Sequence, residues 1–335
     1  MENLLTYEVG SLAKPEWRVG ALADRPITPT YLADARQWGA ELGIESEPLL
    51  ELFSQAPFDQ RQKQEIKNWA SRYGLRLLER AGLDVVYDGE QQRSEMYHYP
   101  VSHSRGFEFR GLLRSFDNKY YRKAACVAKP ELEQPYHTDE FRILQQYAEK
   151  PLKVPITGAY TLADWSYDEH YAKGIGLGSA GGARQAREAA RRRFVLAIAR
   201  NLVRPNLEAL LAAGADWIQL DEPAALTHPE EVPLFVEAFN QSVAGLAGRF
   251  TIHICFSDYR LLFPHIDRLE NCWGLHIGFA NYDSTKLGTR REDRPGYETL
   301  YALAGLEHRF NIGLGVLDIH RDTIEPPELV RDRIL

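Results

Sequence analysis

The sequence lacks most of what would mark a secreted, membrane-spanning or nucleic-acid-binding protein. Cysteine is scarce: Cys126, Cys255 and Cys272 are the three in 335 residues, too few for a disulfide framework. They fit reduced thiols in a cytoplasmic protein, each open as a ligand, a nucleophile or a buried filler. No window approaches the roughly 20 apolar residues that span a bilayer, and the first residues carry no basic leader. Excess positive charge is also missing. A net charge of -7 argues against a phosphate-tracking surface, and hence against nucleic acid as a partner. The basic cluster at 184–193 lies in a strongly helical run and reads as a solvated helix face. No internal repeat or low-complexity linker divides the chain, so 1–335 reads as one domain. What is present is ordinary globular composition: 44% hydrophobic and 26% charged residues can bury a core without staples.

Short runs rich in Val, Ile and Tyr alternate with long amphipathic patterns, which predicts parallel strands joined by crossover helices. Strands are expected at 5–9, 84–88, 154–158, 217–221, 250–255, 274–279 and 312–319. Helices are expected at about 60–81, closed by Gly82, and at about 183–213. Residues 94–135 break the alternation and read as an excursion holding a β-hairpin around 106–127. Within it, 124–127 is a weak eighth strand. A closed (β/α)8 barrel of the TIM type needs eight strands. The expectation is therefore an α/β barrel with a hairpin after its second strand and without its last strand, because the sequence stops inside a helical pattern at 328–335. The glycine-rich stretch 174–182 does not follow a strand tightly and lacks the acidic partner of a dinucleotide fingerprint. It reads as a mobile loop near the barrel mouth.

In such a barrel, reactive groups come from the carboxyl ends of the strands. Those ends carry Gly10-Ser11, Asp88-Gly89-Glu90, Thr157-Gly158, Asp221-Glu222-Pro223, His253-Ile254-Cys255, Gly278 and Asp318-Ile319-His320. Polar residues gathered there are unusual for packing. In His253-Ile254-Cys255 the imidazole and thiol, two residues apart on a strand, share a face. That pair suits zinc; it equally suits a small buried thiol beside a hydrogen-bonded histidine.

Taken together, these motifs resemble the catalytic half of cobalamin-independent methionine synthases. The likeness runs from Tyr7-Glu8-Val9-Gly10-Ser11 through Asp88-Gly89-Glu90 with Arg93 and Met96, Thr157-Gly158 with Trp165-Ser166, and Ile218-Gln219-Leu220-Asp221-Glu222-Pro223-Ala224. It continues through Ile252-His253-Ile254-Cys255-Phe256-Ser257 to Gly315-Val316-Leu317-Asp318-Ile319-His320. The resemblance implies a zinc-dependent transfer of a methyl group to the thiol of homocysteine. It implies His253 and Cys255 as metal ligands, and Glu90 and Asp221 as the carboxylates that grip the substrate ammonium. The Gly10-Ser11 turn is implied for its carboxylate, His320 for proton transfer, and Trp165 as a platform for a folate ring.

Two departures stand out. The family's glutamate ligand falls at Gly278, which leaves the third ligand open: Asn281, Asp283 or a water could substitute, and His276 only if the metal moved. Its last cysteine ligand falls beyond Leu335, and Cys272 precedes its strand at the opposite end. A C-terminally shortened chain is the expectation that explains both the cut helix and the missing cysteine. The methyl donor is either methyltetrahydrofolate or a methylcorrinoid protein; a single barrel favours the corrinoid. Two competing readings remain: alkyl transfer to another thiol such as coenzyme M, and a ligand-binding barrel without turnover. A sulfonate thiol has no amine, so Glu90 and Asp221 together favour homocysteine.

Overall fold

The computed structural model describes residues 4–114, 120–176, 181–255, 257–303 and 309–335. Its contacts group the chain into two units, Met1–Glu95 with His137–Val154 and Ala213–Asp216, and the remainder.

The first unit is mainly helical. Thr28 accepts from the Tyr31 amide to cap the helix Pro29–Leu42, and Gly43 closes it in a left-handed conformation at φ 68°. Asp59 and Gln62 form a reciprocal capping box that starts the long helix Gln60–Arg80. Trp17, Phe53, Phe58, Trp69 and Tyr73 make its aromatic core. The strands expected at 5–9 and 84–88 appear only as isolated parallel bridges, Tyr7 to Val85 and Val86 to Leu152. Side chains take the backbone groups that a longer ladder would use: the Thr6 amide donates to Asp84, and the Lys153 ammonium donates to the Val9 carbonyl. Helix Gln60–Arg80 presses against the turn after residue 88. A Cβ on Gly74 would sit 2.3 Å from the Asp88 carbonyl oxygen, so only glycine allows this approach.

The second unit holds the named strands. β1 (Ser104–Arg114) and β2 (Tyr120–Leu132) form the expected hairpin, longer than its 106–127 core and bulged near Phe107 and Gly111. Residues 124–127 lie inside β2, antiparallel to β1, so they are not an eighth barrel strand: their backbone groups are spent on the hairpin. The main sheet places β3 (Lys153–Thr157, of which Pro155 onward belongs to this unit) beside β5 (Trp217–Asp221). β6 (Arg249–Ile254), β7 (Gly274–Ile277) and β8 (Asn311–Leu314) follow in order. The short β4 (Tyr167–Asp168) pairs with β2 instead. β5 to β8 run parallel in direct register. β7 stops early because the Gly278 amide donates to the Tyr259 hydroxyl rather than to a strand. The helix expected at 183–213 is continuous from 181 to 212, but residues Ala199–Val203 widen into a π turn. Pro205 explains it, since its ring would clash with the carbonyl four residues back in a regular helix. Of the glycine-rich stretch, 177–180 lie outside the described residues, as does Phe256.

Candidate functional site

Two groups of the expected residues can be described, one in each unit. In the first, the Ser11 hydroxyl donates to the Glu90 carboxylate across 79 positions of sequence. A Cβ on Gly10 would lie 3.2 Å from the same carboxylate, so the Gly10-Ser11 turn and Glu90 are in contact. Gly89 and Glu90 take successive left-handed conformations, at φ 65° and 59°. For a glutamate this is strained backbone of the kind that persists where surroundings over-determine it. The surroundings are visible. The Lys14 ammonium donates to the Gly89 and Glu90 carbonyls at 2.8 Å each, and the Asp88 carboxylate accepts from the Glu90 amide and the Ser71 hydroxyl. Burial, with repulsion from Glu140, pushes Asp88 up to about 6; burial pulls Lys14 down to about 8.

Glu90 is also paired with the Arg93 guanidinium at 3.3 Å, so it takes part in a structural ion pair. Arg93 is held more firmly by Glu140, which accepts from its Nε at 3.1 Å and from its Nη2. Glu140 also accepts the Tyr87 hydroxyl at 2.8 Å and lies 3.1 Å from His137 Nδ1. All four side chains are buried. The sequence reading did not find Glu140 or His137. The available signal was a His-x-x-Glu at the start of a helix, which by itself is unremarkable.

Burial and the nearby Arg93 charge hold His137 down to about 4, against 6.5 for a free histidine. The unfolded chain therefore binds one more proton than the folded chain between those values. This contribution to stability is complete above pH 6.5 and is lost as pH falls toward 4. Denaturant titrations across that window should give a flatter stability profile for His137→Gln than for the unaltered protein. An unchanged slope would remove His137 as the cause.

In the second unit, Asp221, His253 and His276 lie side by side on β5, β6 and β7. The Gln219 amide donates to Asp221 at 2.7 Å, and its oxygen lies 2.8 Å from His276 Nδ1, so one side chain links the two. His253 Nδ1 is 3.3 Å from the His276 carbonyl, an arrangement that assigns the proton to Nδ1 and the lone pair to Nε2. Cys255 follows at the end of β6, where burial and the Asp221 charge raise its thiol to about 11. Next in sequence to Asp221, Glu222 turns the other way and caps the helix Ala159–Asp164, accepting from the Tyr160 and Thr161 amides and the Thr161 hydroxyl.

The residues present do not complete a zinc site. Catalytic zinc takes three protein ligands, and among the described residues no group of three or more His, Cys, Asp or Glu could hold a metal. His253 and Cys255 are two. His276 is bound to Gln219. Asp283 is not a substitute, because Arg294 at 2.7 Å, Arg333 at 3.0 Å and the Gly296 amide consume its carboxylate. A Cβ on Gly278 would lie 2.7 Å from Asn281 Nδ2, so a longer side chain there requires Asn281 to move. Cys126 and Cys272 are fillers. Burial lifts each thiol to about 12, and each donates to a carbonyl two residues on.

Trp165 is half-buried against Tyr121 and Tyr97, with ring centroids 5.6 and 6.3 Å away. His320 is exposed in the turn after β8, with Nδ1 3.2 Å from the buried Asp318 carboxylate, so it is not a core histidine.

Comparison with known proteins identifies the family and the fold. Residues 45–335 match the family model described as the cobalamin-independent synthase catalytic domain. A methionine synthase from Thermoplasma acidophilum is 36% identical over 342 residues, spanning 100% of this chain and 86% of that protein. One from Pyrococcus furiosus is 36% identical over 78% of this chain and 68% of its own. Among solved structures, a B12-independent methionine synthase from Shewanella sp. W3-18-1 in complex with selenomethionine superposes with a TM-score of 0.69. The match covers 98% of this chain and 85% of that one at 23% identity, a likeness of fold. The fold is thus of the α/β barrel type expected.

Proposed function

The chain belongs to the cobalamin-independent methionine synthase family through its catalytic domain, and from this membership we propose that it methylates the thiol of homocysteine to give methionine. The observation that carries the reading is the register of β5 and β6. It puts a carboxylate, Asp221, one strand spacing, about 4.8 Å, from His253 and close to Cys255, which supports a site for an amine beside a thiol. A thiol substrate without an amine would leave Asp221 a misplaced charge.

In the reaction the homocysteine thiol loses its proton, its sulfur bonds to the methyl carbon, and the bond from that carbon to the donor breaks. Glu90 and Asp221 are assigned to the substrate ammonium and the Gly10-Ser11 turn to its carboxylate; this assignment rests on the family resemblance. His320, oriented by Asp318, is assigned the proton that leaves with transfer. Trp165 with Tyr121, both half-buried and backed by the buried Tyr97, is assigned as an aromatic surface for a flat donor. The donor is a methylcorrinoid protein or methyltetrahydrofolate. Zinc is assigned to His253 and Cys255 on the same resemblance. These are two donors among the described residues, one short of the three that catalytic zinc takes. The family match runs through both contact units, which supports one catalytic domain. The three unpaired cysteines support a reducing, cytoplasmic setting. No described helix is long and apolar enough to cross a membrane.

One observation, that the described residues supply no third metal donor, favours a second reading: a barrel that binds an amino-acid ligand without turnover. The test is methionine formation from L-homocysteine with methylcobalamin or methyltetrahydrofolate, in the presence of zinc. Zinc content is measured alongside by atomic emission. Methionine is expected with one donor. Zinc is expected to remain below one per chain after dialysis and to fall further in Cys255→Ser. Binding of homocysteine with neither donor productive would establish the second reading instead.

A further inference from the structure

Glu8 stands two residues before the Gly10-Ser11 turn and no role has been assigned to it. Its residue is half-buried, but both carboxylate oxygens are buried and neither has a hydrogen-bond partner among the described residues. Every other acid around it is satisfied. Asp88 has the Ser71 hydroxyl and the Glu90 amide, Glu90 has Ser11 and Arg93, and Glu140 has Arg93 and Tyr87. The charged groups facing Glu8 are Lys153, which attracts it, and Asp88 and Glu90, which repel it. Lys153 directs a hydrogen bond to the Val9 carbonyl, and Lys14 directs its own to the Gly89 and Glu90 carbonyls. A buried carboxyl group with no donor is costly to keep. An arriving primary ammonium brings three donors and a positive charge, which is what this cluster of like charges lacks.

We propose that Glu8 is a third carboxylate for the ammonium group of the amino-acid substrate, set beside Glu90 and completed only when ligand is bound. The inference rests on the homocysteine reading above and extends it to a residue of the same unit. Burial lifts the Glu8 carboxyl to about 7, so it holds a proton for part of the time near neutrality. Arrival of the ammonium ionises it and releases that proton to solvent.

The test is calorimetric binding of L-homocysteine and of 4-mercaptobutyrate, its analogue without the amine, to the full chain and to Glu8→Gln. The unaltered protein should bind L-homocysteine at least tenfold more tightly than the analogue. Glu8→Gln should weaken L-homocysteine about ten- to hundredfold, the scale of one lost charge-assisted bond, and leave 4-mercaptobutyrate unchanged. Its melting temperature should be unchanged or raised, because an amide carries no charge to desolvate. Proton release at pH 7, read from buffers of different ionisation enthalpy, should diminish in the variant, and Glu8→Asp should recover part of the affinity. If Glu8→Gln binds L-homocysteine as well as the unaltered protein does, or weakens both ligands equally, or melts several degrees lower, Glu8 is structural and the proposal falls alone. If the unaltered protein does not prefer L-homocysteine to the analogue, the homocysteine reading falls and takes the proposal with it.

Discussion

Replacing Arg93 by leucine is expected to destabilise the protein by about 3–5 kcal/mol, the cost of leaving buried charges without their partner. Arg93 is buried, as are the two carboxylates it serves, Glu140 and Glu90. Its guanidinium also lies 5.6 Å from the centre of the Tyr87 ring. Without it, Glu140 keeps the Tyr87 hydroxyl and the contact with His137, neither of which balances a full negative charge at neutral pH. Urea denaturation at pH 7 measures the loss. The double variant Arg93→Leu with Glu140→Leu should recover a good part of it, since removing both members of a buried pair is far less costly than removing one. A single variant within 1 kcal/mol of the unaltered protein would mean that the network contributes little, and that the strained turn at Glu90 is held by Lys14 and Asp88 instead.

Asp221→Ala is expected to lower homocysteine affinity about ten- to hundredfold while leaving zinc content unchanged. The size follows from losing one hydrogen-bonded charge pair with the ammonium, about 1.5–3 kcal/mol. Asp221 is held ready by Gln219, which is itself tied to His276, so the carboxylate is not free to swing toward another partner. Glu90→Ala should give a loss of similar size by the same argument. In that variant the Ser11 hydroxyl and Arg93 also lose an acceptor, so some destabilisation accompanies it. The useful contrast is with Cys255→Ser, which should cost metal rather than amino-acid binding. Loss of zinc in Asp221→Ala, or normal homocysteine affinity, would remove Asp221 from the ammonium site.

Several parts of this picture are legible in residues a few positions apart. The run 217–221 predicts β5 to the residue, and 274–279 overshoots β7 by two, at the point where Tyr259 takes the next amide. The hairpin and the helix closed at Gly82 follow from period-two alternation, capping chemistry or glycine's conformational freedom. That no third metal donor stands beside His253 and Cys255 among the described residues was not readable. Asn281 occupies the space beside Gly278, and Asp283 looks available in the sequence but is spent on two arginines, Arg294 and Arg333.

By itself, then, the sequence determined the order and direction of the parallel strands, the polar character of their carboxyl ends, and the chemistry of the groups there. Those properties depend on local backbone geometry and on residue type. Only the tertiary structure decided which charges are paired. Arg93 finds Glu140 across 47 positions and Ser11 finds Glu90 across 79, while Glu8 in the same unit finds no hydrogen-bond donor among the described residues. Such pairing is set by which side chains folding brings within about 3 Å in a poorly solvated interior, where the cost of an unmet charge is highest. No spacing along the chain encodes it.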